Sequence, residues 1–155
     1  MNKTLIVQVV VIASIVAGYF LIDFNKVYTY FKPKVDYKVQ NSKCDLHNGP
    51  CEIIVNKDQK FSLEVFPKSI PLMKELTFRL KTTKEIKDDF TLNIYATNMF
   101  MGYFNLKFNR VEKGVYEAKG TLPTCPVGNM KWNADIEFGS LMNPWGLRYK
   151  FQTTR

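Results

Sequence analysis

A chain of 155 residues with a net charge of +8, a pI near 9.4 and 46% hydrophobic residues is too apolar to be disordered, and it is long enough for one domain with its own core. The charge raises a nucleic-acid reading, but the Lys and Arg residues are spread singly, without an arginine-rich run or a basic stripe. Solvated lysines are therefore the reading, and no nucleic-acid partner is expected. Lys3 and Asp23 cancel, so the whole surplus lies beyond residue 23.

Taken in chain order, the first element is Leu5 to Ile22, LIVQVVVIASIVAGYFLI, 18 residues without a charge. At about 1.5 Å per residue this run covers roughly 27 Å as a helix, close to the hydrocarbon thickness of a bilayer. Gln8 and Ser14 are its only interruptions before Tyr19, so no polar face at helical spacing marks it as a helix of a soluble core. The small residues Ala13, Ser14, Ala17 and Gly18 sit inside the run and are followed by Tyr19, Phe20, Leu21 and Ile22. That order favours an uncleaved anchor over a removed signal, which needs small residues at the end of the run.

A short leading tail with one lysine resembles the start of a signal-anchor, which sends the following domain across the membrane. The cysteines agree with that orientation. Lys26, Lys32, Lys34 and Lys38, set against Lys3 and the terminal amine, argue for the opposite one. The expected organisation is an anchor over 1–23, a juxtamembrane stalk over 24–43 with the aromatic collar Phe24, Tyr28, Tyr30 and Phe31, and a folded domain over 44–155. The expected placement is single-pass in the cytoplasmic membrane, with the lipid bilayer as one partner and the folded domain outside.

From Cys44 onward the periodicity is two. Phe61, Leu63 and Val65 alternate with polar neighbours, as do Leu76, Phe78 and Leu80; Phe90, Leu92, Ile94 and Ala96; Phe104, Leu106 and Phe108; and Tyr116 and Ala118. Met130, Trp132, Ala134, Ile136 and Phe138 and then Leu147, Tyr149 and Phe151 continue it. With Glu52 to Val55 this makes about eight short strands, separated by signals such as Pro67, Pro71, Lys113-Gly114 and Asn143-Pro144. No helical period follows the anchor. The pattern predicts an all-β antiparallel sandwich.

Cys44 and Cys51 flank the turn-forming Asn48-Gly49-Pro50 and are the natural disulfide pair in an oxidising compartment. A bridge from Cys125 to either of them stays open on sequence grounds. The C-x6-C spacing is not that of a thiol oxidoreductase. Met99 and Met101 carry two readings. In one the strand ends at Asn98 and the thioethers fill a loop against a neighbour. In the other they form a soft-metal site, since thioether and thiolate sulfurs prefer Cu(I) and i,i+2 spacing on a strand puts two sulfurs on one side. Cys125 and His47 are then the further candidate ligands. His47, the sole histidine, lies in a Cys-bounded loop and reads first as a solvated turn residue. Met130 shares the parity of Trp132 and reads as core.

The order NMFMGY followed by GVYEAKGTLPTCPVGNMKW on a tethered all-β domain resembles the bacterial YtkA-like and FixH-like extracytoplasmic proteins. Met99, Met101 and Gly102 match an M-x-M-G turn, Gly114, Tyr116 and Leu122-Pro123 match the stretch before the last core strands, and Trp132 matches an aromatic core position. The resemblance implies an immunoglobulin-like sandwich and an association with copper delivery or with assembly of respiratory oxidases. The chain departs from copper-binding sandwiches in having one histidine and no His-x-Met arrangement. No G-x-S-x-G motif, phosphate-binding glycine loop or histidine pair is present, so catalysis is not expected. Two functions follow: a factor holding Cu(I) transiently on Met and Cys sulfurs, or a metal-free module docking on a membrane protein complex.

Overall fold

The computed structural model describes residues 7, 8, 11, 12, 35–86, 90–99, 101–124, 128–138 and 144–154. The chain divides into two units, Met1–Lys34 and Val35–Arg155. In the first, Val7, Gln8, Val11 and Ile12 are helical and exposed. No helix among the described residues is long and apolar enough to cross a membrane. The anchor expected over 1–23 lies almost wholly outside the described residues.

The second unit is a sandwich of two five-stranded sheets. Its described strands are β1 (Asp36–Val39), β2 (Cys51–Asn56), β3 (Gln59–Phe66), β4 (Glu75–Thr82), β5 (Thr91–Ala96), β6 (Phe104–Lys107), β7 (Asn109–Glu112), β8 (Val115–Thr121), β9 (Met130–Phe138) and β10 (Trp145–Thr153). One sheet runs β1-β10-β9-β5-β6 and the other β2-β3-β4-β8-β7. All pairings are antiparallel except β1 with β10, which is parallel.

The period-two residues form the core between the sheets. Phe61, Leu63, Val65, Leu76, Phe78, Leu80, Leu92, Ile94, Trp132, Ala134, Ile136 and Leu147 are all buried there, and Met130 joins them at 0% exposure. Aromatic rings fill one part of the interior. Phe90 lies 5.0 Å from both Phe108 and Tyr116 and 5.4 Å from Phe138, which stacks on Trp145 at 4.7 Å. Offset and tilted pairs of this kind add to the burial of apolar area. Gly120 on β8 lets the Leu106 side chain on β6 pack close, since a Cβ there would come within 2.5 Å of the Leu106 methyls and the side chain would have to shift.

Two described strands go beyond the eight expected. Asp36–Val39, inside the stretch read as stalk, pairs as β1 from Asp36 opposite Trp145 to Val39 opposite Arg148. Asn109–Glu112 forms β7, with all four residues exposed. Both are edge strands, so neither needs an apolar alternation. The single strand expected over Phe104 to Phe108 is instead β6, after which buried Phe108 carries the chain across to the other sheet.

The Tyr149 hydroxyl is fully buried in this core, with no hydrogen-bond partner among the described residues. Burial, reinforced by the Glu52 charge, drives its ionisation far above the usual phenol range. Tyr149→Phe is therefore expected to raise stability at neutral pH by about 1 kcal/mol, since the lost hydroxyl made no bond. The sign at high pH follows from linkage. The folded state keeps the proton while the unfolded chain releases it near pH 10, so the wild type loses about 1.4 kcal/mol per pH unit from this group as pH rises above about 10. Thermal scans of both proteins across that range should show their midpoints diverging, and parallel curves would contradict the assignment.

Candidate functional site

The loop between β1 and β2 is built around the disulfide. Cys44 and Cys51 are bonded, and Cys51 is completely buried as the first residue of β2. The Asp45 carboxylate accepts the His47 backbone N–H at 3.0 Å, and the Asp45 carbonyl accepts the Asn48 N–H at 3.0 Å, so the intervening turn closes on itself. Leu46 at 0% exposure plugs the loop into the core.

His47 lies in the turn, half-buried, with both ring nitrogens near backbone carbonyls. Its Nδ1 lies 2.8 Å from the Lys68 carbonyl and its Nε2 2.7 Å from the Gln152 carbonyl. The ring thus ties the disulfide loop to the segment after β3 and to the end of β10. Both carbonyls can only accept, so a neutral ring, with its single N–H, donates to one of them at a time.

The methionine segment is not a continuing strand. β5 ends at Ala96, where the chain turns toward β9: the Thr97 N–H donates to the Lys131 carbonyl at 2.8 Å, and the Asn98 side chain accepts the Lys131 N–H at 3.0 Å and donates to the Asn129 carbonyl at 2.9 Å. Met99 follows at 41% exposure, while Met101 is half-buried and packs against the core. The i,i+2 alignment that a strand would have given the two sulfurs is therefore absent, and this segment follows the loop reading. Phe100 and Cys125 lie outside the described residues. Among the described residues there is no group of three or more His, Cys, Asp or Glu that could hold a metal ion.

The outer face of the β1-β10-β9-β5-β6 sheet carries a charged and aromatic network that the sequence did not announce. Arg148 donates to both Asp135 oxygens at 2.8 and 2.7 Å, Tyr95 donates to Asp135 at 3.1 Å, and Asn133 donates to the Tyr95 hydroxyl at 3.0 Å. The Arg148 guanidinium also sits 4.1 Å from the centre of the Tyr37 ring, whose hydroxyl donates to Glu137. Gly146 makes this reach possible. Tyr37 lies opposite Gly146 in the parallel register, and a Cβ at 146 would stand 2.7 Å from the ring.

Burial raises the Tyr37 and Tyr95 ionisations, with the Glu137 bond adding to the first, while the Asp135 bond holds Arg148 more firmly protonated. Arg148 and Asp135 neutralise one another, and the Tyr37 and Tyr95 hydroxyls satisfy Glu137 and Asp135 respectively. The signal in the sequence was that Asp135 and Arg148 both occupy outward positions of strongly alternating strands, but their pairing needs the β9–β10 register.

Beside the network is a cavity of about 750 Å³, lined by residues that include Gln40, Asp45, His47, Lys131, Trp132, Lys150 and Phe151. Of the residues singled out from sequence, it gathers His47 and Cys44 but neither methionine. No family model, curated protein or solved structure matches the chain.

Proposed function

We propose that this chain is a membrane-anchored accessory protein whose sandwich domain works outside the cytoplasm by binding, not by catalysis, on a membrane protein complex. The observation that carries the reading is the Cys44–Cys51 disulfide, because such bonds form and persist in oxidising compartments. The apolar run Leu5 to Ile22 supplies the anchor. The resemblance of Met99-Phe100-Met101-Gly102 and its downstream residues to the YtkA-like and FixH-like proteins supports both the immunoglobulin-like form of the sandwich and a part in oxidase assembly. The strongly shifted titratable groups belong to a self-satisfied network or to the core, which fits a binding domain better than an enzyme.

Fusions of alkaline phosphatase and of a cytoplasm-dependent fluorescent protein to the C-terminus test the placement. Phosphatase activity in a carbonate-resistant membrane fraction is the expected result. Fluorescence without phosphatase activity would overturn the orientation and favour the lysine count instead.

The more specific version of this role is transient Cu(I) binding by Met99, Met101 and Cys125, with His47 as a further ligand; the exposure of Met99 favours it. The full chain in detergent is expected to take one Cu(I) from a chromophoric chelator after free thiols have been counted, and Met99→Leu/Met101→Leu to lose it. Absence of binding above the chelator background leaves the metal-free docking role.

A further inference from the structure

β1 is the outermost described strand of its sheet, and its pairing with β10 fixes which of its groups look outward. The Asp36 N–H donates to the Pro144 carbonyl and the Gln40 N–H to the Arg148 carbonyl, so the even-numbered residues direct their backbone groups to β10. Tyr37 and Val39, and Val35 before them, direct theirs to the open side. The strand is firmly held. The Tyr37 ring lies over Gly146, its hydroxyl donates to Glu137, and the Arg148 guanidinium sits 4.1 Å from the ring centre. A strand fixed in this way is a preformed template with little ordering left to lose on pairing.

Side chains alternate across the same strand. Val35, Tyr37 and Val39 take the outer face of the sheet, with Gly146 and Arg148, while Asp36 and Lys38 take the face of Trp145 and Leu147. Asp36 and Lys38 are nonetheless exposed, so the core stops short of β1. Neither forms an ion pair among the described residues. A lysine on the inward side of an outermost strand repels most strands that approach it. An aspartate two residues before it makes one partner the exception.

That partner is the strand itself. Val35-Asp36-Tyr37-Lys38-Val39 is self-complementary when a copy is laid against it in the opposite direction. With Tyr37 on the two-fold axis, Asp36 stands opposite Lys38 of the second copy and Lys38 opposite its Asp36, while Val35 and Val39 meet on the other face. In this register Tyr37 exchanges both backbone bonds with its counterpart, and Val39 does so with Val35 of the second copy. The other outermost strands lack these features. β2 and β7 carry register shifts, between Ile54 and Asn56 and between Arg110 and Glu112, and bulges of this kind turn a strand away from pairing. β6 has a single charge, Lys107, and no acid to answer it in a copy of itself.

We infer that β1 pairs antiparallel with β1 of a second copy of this chain, about a two-fold axis through Tyr37, and so joins two sandwiches along one continuous sheet. The contact is small, so free molecules pair weakly and transiently. Its strength between copies held in one membrane rests on the anchor of the proposed function, which raises their effective concentration. The pairing itself rests on the strand alone.

Energy transfer between full chains labelled at the C-terminus with a donor or an acceptor tests this, in phosphatidylcholine vesicles and in neutral detergent at high protein concentration. The wild type is expected to transfer above the level of random mixing in both media. Asp36→Lys and Lys38→Asp, each alone, set like charges opposite one another at both contacts and are expected to weaken self-association roughly tenfold. A mixture of the two variants makes both contacts complementary again, so they are expected to associate with each other as the wild type does with itself. Both positions are exposed, so an unchanged thermal midpoint verifies the fold of each variant.

Transfer at the random level for the wild type in both media would overturn the inference and leave the two charges as a deterrent to other strands. Single variants that associate like the wild type would overturn it by placing the contact elsewhere in the chain, and a mixture that stays apart would overturn the antiparallel register. Flotation of the chain with the vesicles reads the anchor separately, so if the anchor reading fails the detergent series still decides the pairing.

Discussion

Arg148→Ala is expected to destabilise the sandwich by about 3–5 kcal/mol, far more than truncation of an ordinary surface arginine. The Asp135 side chain is only 3% exposed, although it stands on the outer face of its sheet, because Arg148, Tyr95 and Tyr37 close over that region. Without Arg148, the carboxylate keeps the Tyr95 hydroxyl as its donor and loses both guanidinium bonds, which leaves a charge out of water and nearly alone. The pair itself need not be strongly stabilising, since each ion has also lost hydration. Asp135→Asn/Arg148→Met should therefore recover most of the loss by removing both charges. Chemical denaturation of the two variants beside the wild type checks this, and a loss under about 1 kcal/mol in Arg148→Ala would show that water reaches Asp135 once the guanidinium is gone.

The second large effect concerns the covalent closure of the loop from Cys44 to Cys51. The bridge spans a sequence separation of 7, and the chain-entropy relation gives about 2–3 kcal/mol for a loop of that size. Cys44→Ala/Cys51→Ala is the suitable replacement, because serine would place a hydroxyl at the fully buried Cys51 position. The denaturation midpoint should fall by the equivalent of this energy, and treating the wild type with a phosphine reductant should reproduce the fall. Leu46 and His47 still hold the loop in the folded state, so native tertiary signals should persist below the lowered midpoint. A loss well under about 1 kcal/mol would mean that the unfolded chain already keeps this segment compact.

Strands buried on one face wrote themselves into the sequence. β3, β4 and β5 alternate because each turns one side to the core, and their buried residues are the ones the pattern names; β9 and β10 bury the named residues too, but add Asn133, Asp135, Gly146 and Thr153, which the pattern does not name. β1 and β7 left no such trace. DYKV and NRVE lie at sheet edges with little to bury, and β1 is placed by a parallel register with a strand more than a hundred positions away.

The same distinction divides the candidate site. The Cys44–Cys51 pairing was legible because a local turn brings its ends together. The two contacts of His47 were not, because they depend on backbone carbonyls of Lys68 and Gln152 that only the folded chain delivers. Asp135 and Arg148 look like ordinary solvent-facing residues until the register sets them opposite one another. The end of β5 at Ala96, which separates the methionine sulfurs from strand geometry, likewise depends on Thr97 and Asn98 finding partners on the strand β9 and the residue before it.

Gln40 and His47 also bear on how this sheet keeps to itself. β10 outruns β1, and a strand left half-covered offers outward carbonyls to any extended chain that meets it. Here the Arg148 carbonyl accepts the Gln40 backbone N–H, the Lys150 carbonyl accepts the Gln40 amide, and the Gln152 carbonyl faces the His47 ring. Three successive outward acceptors are thus occupied by one loop. An incoming strand from a second copy would have to displace that loop, with its disulfide and its Leu46 plug, before it could add to β10 there. The loop covers the part of this edge that β1 leaves open, where edge-to-edge pairing would otherwise begin.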